Sequence, residues 1–278
     1  MTWLVDAHVH YYPCFGWSAF LDGAVRNTLH ASSLLTAPGG IDPDPLAVTC
    51  LLLADPAGIE SLAPFRTRTE LPPEWRREPL SGGGMALVRD NGESDSARAP
   101  RVVLLPGRQI RTRERLELLA LDCTRPIPDG LPLRTALKMV TAEDAVCVLP
   151  WGFGKWWGKR GRILRDVLQE HWEVPLHVGD NGNRPLSYPD PRLLEARAGS
   201  RKGWNLPGSD PLPFPDHAGR AASCGFLLPG DPDPEHPGVS LRAALAALER
   251  NPPVVAVRRS TPAFAADQLR IQMARRGR

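Results

Sequence analysis

The 278 residues carry 34 basic and 31 acidic side chains, a formal charge of +3, with 42% hydrophobic and 23% charged residues. Such a chain buries a sizeable core and fits one large α/β domain or two small ones. Its nearly balanced charge gives no bulk reason to expect nucleic acid, which would need a local basic patch.

Short β-like runs alternate with helical ones along the chain, the pattern of a parallel sheet rather than an all-α or all-β core. The first strand spans 3–9 in "MTWLVDAHVH", where Leu4, Asp6, His8 and His10 share one face of an alternating strand. A helix over 17–31 follows, with Phe20, Leu21, Ala24, Val25 and Leu29 at helical spacing. Further strands are expected at 46–54, 101–105, 116–121, 145–149, 174–178, 204–208 and 253–257. Further helices are expected at 132–141, 159–171, 190–198, 240–250 and 262–275, with Ser240 capping "SLRAALAALER".

Two stretches interrupt the alternation. Residues 67–100 are rich in proline, glycine and charge and read as an excursion with a small hairpin around "MALVRD". Residues 211–238 carry "DPLPFPD" and "PGDPDPEHPG" and read as a long proline-rich surface loop. No linker divides the chain. The expectation is therefore one α/β domain over 1–278, a distorted TIM-like (β/α)7–8 barrel.

Five cysteines at irregular spacing make no disulfide framework, and no CxxC pair suggests structural zinc. Cys50 and Cys147 lie in apolar runs, as buried free thiols do. Asp6 and His8 interrupt any leader-like start, and no apolar run approaches the ~20 residues that span a bilayer. A cytoplasmic protein without membrane partners is expected.

The unusual polar residues fall just after expected strands: "HVHYYP", "GRQIRTRE", "PWGFGKWWGKRGR", "GDNGNRP" and "GSDPLP". In a parallel barrel such segments meet at the C-terminal face. His8 and His10 at the end of the first strand offer two imidazoles to a metal, and Asp210 offers a late carboxylate; hydrogen-bonded core histidines and a turn-capping aspartate are the competing readings. In "PLHVGDNGNRP", His177 and Asp180 differ in strand parity, and Asp180, past the strand end beside Arg184, is preferred as a ligand. Gln109 cannot ionise and could orient substrate or water but not act as a base. "PWGFGKWWGKRGR" sets Lys155, Lys159, Arg160 and Arg162 among Trp151, Phe153, Trp156 and Trp157 and suits phosphate or carboxylate recognition, against the alternative of a solvated basic helix face. Cys14 lacks an assignable base, and neither GxSxG nor a dinucleotide fingerprint occurs.

"DAHVH", "LLPGRQIRTRERLELLAL" and "PGSD", in this order, resemble the PHP (polymerase and histidinol phosphatase-like) family of metal-dependent phosphoesterases, and more loosely the amidohydrolase superfamily. The PHP pattern runs HxH, a glutamate in a GxE turn, a histidine after a middle strand, then DxH. His8, His10 and Asp210 match it, whereas Gln109 stands at the glutamate, Trp151 where the middle histidine is expected and Leu212 at the final histidine. The resemblance implies a metal-dependent hydrolase; with the residue readings above, the expected site holds one divalent ion, Zn, Mn or Fe, on His8, His10, Asp210 and Asp180, has Asp210, Asp180, Lys155 and Arg184 as catalytic groups, and binds a small anionic substrate through Gln109, Trp151, Lys155 and Arg184. Three alternatives stay open: a degenerate PHP-like barrel that binds an anionic ligand or protein partner, an amidohydrolase-type C–N hydrolase, and, ranked last, a nucleic-acid-binding module built around the Trp/Lys/Arg loop. The sequence leaves the oligomeric state open, and nucleic acid is not expected as a partner.

Overall fold

The computed structural model describes residues 2–35, 48–67, 71–80, 83–89, 100–189, 191–195 and 203–276. The elements run β1 (Thr2–Val9), α1 (Trp17–Leu35), β2 (Val48–Leu53), α2 (Leu62–Thr67), β3 (Trp75–Pro79), β4 (Met85–Arg89), β5 (Arg101–Leu105), β6 (Gly107–Arg111) and β7 (Glu117–Leu121). They continue as α3 (Leu133–Thr141), β8 (Val146–Pro150), α4 (Gly158–Gln169), β9 (Leu176–Gly179), α5 (Arg192–Glu195), a 3-10 turn (Pro215–Arg220), β10 (Cys224–Pro229), α6 (Pro237–Ala246), β11 (Val254–Ala256) and α7 (Thr261–Arg276).

These strands form two sheets rather than the expected barrel of parallel strands, one ordered β11-β10-β1-β2-β5-β4-β3 and one ordered β6-β7-β8-β9. Among the paired strands, β1 with β2, β2 with β5 and β8 with β9 are parallel and the remaining pairs antiparallel, and the isolated bridges outside them are parallel. Isolated bridges link the sheets, Asp55 with Arg108 on one side and Val178 with Asn205 and Asn181 with Gly208 on the other. The expected strand at 204–208 is therefore a bridged segment, not a regular strand.

Period-2 alternation explains the layering. On the first sheet, Leu51, Leu53, Leu87 and Leu104 pack on Phe20, Leu21, Ala24 and Val25 of α1. The opposite face, with Trp3, Val5, Cys50, Leu52, Val103 and Leu105, meets Leu119, Leu121, Val146 and Val148 of the second sheet. That sheet's outer face carries Leu118, Ala120, Cys147 and Leu149 against α3 and α4. Burying both faces of the central strands is what makes their runs read as continuously apolar.

Several expectations change in detail. The stretch 67–100 holds the hairpin of β3 and β4, which extends the first sheet beyond β5; residues 68–70, 81–82 and 90–99 lie outside the described residues. The proline-rich stretch 211–238 contains β10, which pairs directly with β1, because its prolines flank rather than interrupt the apolar "CGFLLP". Of the expected helix at 190–198, Arg192–Glu195 form α5 and Pro191 is not helical, while 190 and 196–198 lie outside the described residues. Ser240 lies inside α6, whose N-cap is His236, and its Oγ accepts from the Asp233 amide at 2.8 Å. All five cysteines are free, Cys14 alone exposed. No described helix is long and apolar enough to cross a membrane.

Candidate metal centre

The site begins with an irregularity in β1. Asp6 pairs with Leu51 and Val9 with Leu53, so three steps of β1 span two of β2. Such a bulge inverts the in-and-out alternation beyond it. Accordingly Leu4 before the bulge and Val9 after it pack in the same cluster towards α1. Asp6 thus parts from His8 and His10, correcting the shared face expected for an unbroken strand. Its carboxylate instead accepts from the Ser209 amide (2.9 Å), the Ser209 hydroxyl (2.5 Å), the Ala222 amide (2.9 Å) and the His8 amide (3.2 Å). Burial raises the Asp6 pKa to about 6 against the pull of these four donors.

Segment 207–210 lies along the end of β1, with the Ala7 amide donating to Pro207 O (3.2 Å) and the Asp210 amide to His8 O (2.8 Å). Asp210 takes φ +45°, a left-handed conformation that aspartate tolerates better than most residues, and this aims its carboxylate at the imidazoles. His8 Nε2 and His10 Nε2 are 3.1 Å apart, and Asp210 Oδ1 lies 3.7 and 3.5 Å from them. A point equidistant from these atoms is about 2.0 Å from each, the bond length zinc takes with imidazole and carboxylate. The group is also the described set of His, Cys, Asp and Glu side chains that converges tightly enough to hold an ion.

The electrostatics suit a cation. Burial, and then the neighbouring His8, lower the His10 pKa to about 4, which keeps a lone pair available. Burial pushes Asp210 up, but the His8 and His10 imidazoles and the Asn181 amide outweigh it and leave the carboxyl below its ordinary value. Asn181 Nδ2 donates to Asp210 Oδ2 at 2.6 Å, and Asn183 Nδ2 donates to the Asp210 carbonyl. Behind the imidazoles the support is thinner, because both Nδ1 atoms are buried with no hydrogen-bond partner among the described residues. The carboxylate or carbonyl that ordinarily orients a metal-binding imidazole is lacking there.

Around the triad, Gln109 Oε1 lies 3.0 Å from His8 Nε2, so the residue at the GxE position does reach the centre. Lys155, from the basic loop, pairs with Glu117 at the mouth, and its charge also lowers the Asp210 pKa. The Tyr12 ring lies 5.6 Å from that of His10, and burial followed by the charges of Asp210 and Glu117 pushes its phenol pKa up, so the hydroxyl keeps its proton. Tyr12, Glu117 and Asn181 were not distinguished by the sequence, where nothing separates them from ordinary tyrosines, glutamates and asparagines.

Other expected site residues lie elsewhere. Both Asp180 oxygens are taken by Arg184 (2.7 and 2.8 Å), and Arg258 adds a contact at 2.6 Å, so Asp180 is a salt-bridge partner rather than a member of the triad. Arg184 is 1% exposed and also donates to Tyr188 O at 2.7 Å, so it is not presented to a ligand. Trp151 is buried, its ring against Tyr188 at 5.5 Å and its carbonyl accepting from Asn181 at 3.4 Å. His177 Nδ1 accepts from the Trp204 amide at 3.0 Å.

No family model matches the chain, and no curated protein matches it. Its fold is similar to that of PsfC from Pseudomonas syringae PB-5123, with a TM-score of 0.50 and 12% identity over 98% of this chain and 99% of that one. It is also similar to the lesion-specific endonuclease PfuEndoQ from Pyrococcus furiosus, with a TM-score of 0.50 and 15% identity over 91% of this chain. Only 58% of the endonuclease is covered, so this chain spans little more than half its length. The likeness corrects the expectation drawn from net charge, since a fold shared with an endonuclease gives no ground for setting nucleic acid aside. At these identities the likeness is one of fold alone.

Proposed function

We propose that the chain is a metal-dependent hydrolase of phosphoester-type anionic substrates, with His8, His10 and Asp210 holding one divalent ion. The observation that carries this reading is the convergence of two Nε2 atoms and one carboxylate oxygen at separations of 3.1 to 3.7 Å. When bound, Zn, Mn or Fe supplies Lewis acidity and a water whose pKa falls toward neutrality. The chain supplies the rest. Lys155 offers a cation to the substrate's negative charge, Tyr12 offers a phenolic O–H as donor, and Gln109 orients whatever binds beside His8. The ion pairs of Asp180 with Arg184 and Arg258 hold the loop from which Asn181 reaches Asp210.

A second reading, a PHP-like protein that binds an anionic ligand without turnover, is favoured by the unsupported Nδ1 atoms and by Gln109 where the family pattern has glutamate. One experiment separates the two. Protein purified without chelator is assayed for bound metal and for hydrolysis of bis(p-nitrophenyl) phosphate and p-nitrophenyl phosphate with added Zn, Mn or Fe. Hydrolysis that disappears in the His8→Ala, His10→Ala double variant establishes the enzyme. Retention of metal without turnover of either ester establishes the binding protein, and absence of metal at micromolar concentrations removes the metal centre altogether.

A further inference from the structure

Loop 151–157 presents different chemistry on its two sides. Inward, the Trp151 carbonyl accepts from Asn181, and Lys155 pairs with Glu117 at the mouth of the triad. Outward, Phe153 and Trp157 are 48% and 52% exposed. These exposed rings are held in place. The Trp157 indole lies at 16° to the Tyr188 ring, 6.4 Å away, and its Nε1–H donates to the Tyr188 hydroxyl at 3.1 Å. Phe153 packs edge-on against Trp157 and against Phe264 of α7, each at 5.3 Å. The result is an ordered aromatic platform open to solvent, a few residues from the metal centre.

The helix leading away from the platform fixes the sign of its partner. α4 starts at Gly158, directly after Trp157, and carries Lys159, Arg162 and Arg165 exposed, with Asp166 its one acidic residue. An exposed indole, walled by the Phe153 ring inclined at 65° to it and continued by a run of cations, suits a ligand that is itself flat and apolar in one part and anionic in the next. A second copy of the chain suits it poorly, because an isologous contact would set these cations against their own copies. A duplex keeps its bases stacked inside and has no free face to offer the rings.

We propose that this platform binds single-stranded nucleic acid, with a base stacked on Trp157 and flanked by Phe153 and the phosphates running along Lys159, Arg162 and Arg165. Base–aromatic stacking is sequence-tolerant, and phosphate contacts make such binding fall with salt. The inference names the substrate class for the hydrolase proposed above and rests on that reading for its catalytic meaning, although binding can be tested without turnover.

Fluorescence anisotropy with a labelled 12-nucleotide single strand of mixed sequence tests it, alongside the duplex of the same sequence. Binding is expected at low salt, weakening as salt rises and weaker for the duplex. Trp157→Ala should weaken single-strand binding by about tenfold, and Trp157→Phe, which keeps a ring, should restore most of it. The triple variant Lys159→Gln, Arg162→Gln, Arg165→Gln should flatten the salt dependence. Anisotropy is read with chelator present, so strand binding without hydrolysis of either ester would fail the hydrolase reading alone, and ester hydrolysis without strand binding would fail this one alone. The substituted platform side chains are exposed, and unchanged melting temperatures verify folding. Absence of single-strand binding at low salt, equal affinity for duplex, or undiminished binding by a Phe153→Ala, Trp157→Ala double variant would overturn the proposal. So would a dimer in size-exclusion chromatography that dissociates in that double variant, which would assign the platform to self-association.

Discussion

Gly208 decides whether Asp210 can reach the imidazoles. A Cβ placed there would sit 2.3 Å from the His8 amide nitrogen and 2.4 Å from the His8 Cβ, an overlap with strand backbone that no rotamer relieves. Gly208→Ala is therefore expected to push segment 207–210 off β1, costing about 3 kcal/mol and weakening metal binding together with stability. Denaturant unfolding and calorimetric metal titration of the same variant check both effects. Asn181→Ala removes the 2.6 Å contact to Asp210 Oδ2 together with the bond to Trp151 O (3.4 Å) and the bond accepted from the Asn183 amide (2.8 Å), so it should weaken metal binding roughly tenfold and cost about 2 kcal/mol of stability. An unchanged dissociation constant would show that Asn181 plays no part in aiming the carboxylate. At this scale the sequence was most legible where chemistry and spacing coincide. "DAHVH" and "PGSD" pointed to His8, His10 and Asp210, whereas Tyr12, Glu117 and Asn181 gain their significance only from neighbours that the chain brings together in space.

Among the elements, the β1 bulge shows how far an alternation argument reaches. Leu4 to Asp6 follow the expected parity, but one extra residue then sends Asp6 and His8 to opposite sides, and nothing in "VDAHVH" marks the insertion. Asp6 becomes a clamp between β1 and segment 209–222 through its bonds to Ser209 and Ala222. Asp6→Asn would set an amide N–H₂ among donors and is expected to cost about 3 kcal/mol, measured by denaturant midpoint. A second clamp is sensitive to pH. Buried His217 accepts from the Leu212 amide through Nδ1 (3.2 Å) and approaches Asp267 through Nε2 (3.3 Å), with Arg259 and Arg220 nearby. Burial is the main cause of its lowered pKa, the two arginines add to it, and Asp267 opposes it. The unfolded chain therefore binds a proton before the folded one does, so the stability His217 contributes is present above its ordinary pKa of 6.5 and is lost as pH falls below it. Asp6, raised to about 6, acts in the opposite sense, losing stability as pH rises from its ordinary range through 6. The test is consequently a difference: the melting temperature of His217→Asn should fall less than that of the parent between pH 7 and pH 5. Parallel curves for the two proteins would remove His217 as the source.

For the whole molecule, strand–helix alternation was legible and closure was not. Apolar runs at 46–54, 101–105, 116–121 and 145–149 correspond to β2, β5, β7 and β8, yet a two-residue period is the same for parallel and antiparallel strands, so the β6–β7 hairpin and the insertion of β10 beside β1 carried no signal. The sheets are joined instead by bridges at Asp55, Val178 and Asn181, and the metal ligands sit where one of these joins meets β1. Because His8 lies in β1, His10 directly past its end and Asp210 in the bridged segment 203–210, an ion held by all three fastens two parts of the chain about 200 residues apart in sequence. Binding to the folded state alone stabilises it by about 2.7 kcal/mol when the free metal is at 100 times its dissociation constant. In a chain of this size that corresponds to a rise in melting temperature of about 5 °C. Adding Zn, Mn or Fe to chelator-treated protein should produce this rise, and excess chelator should reverse it. Protection from amide hydrogen exchange should increase at the end of β1 and across 203–210 before it does elsewhere, since these are the segments the ion joins. The His8→Ala, His10→Ala variant should show neither response. A rise of equal size in that variant would place the stabilising ion elsewhere on the surface, and no rise in the parent protein would mean that the three side chains converge without holding a metal.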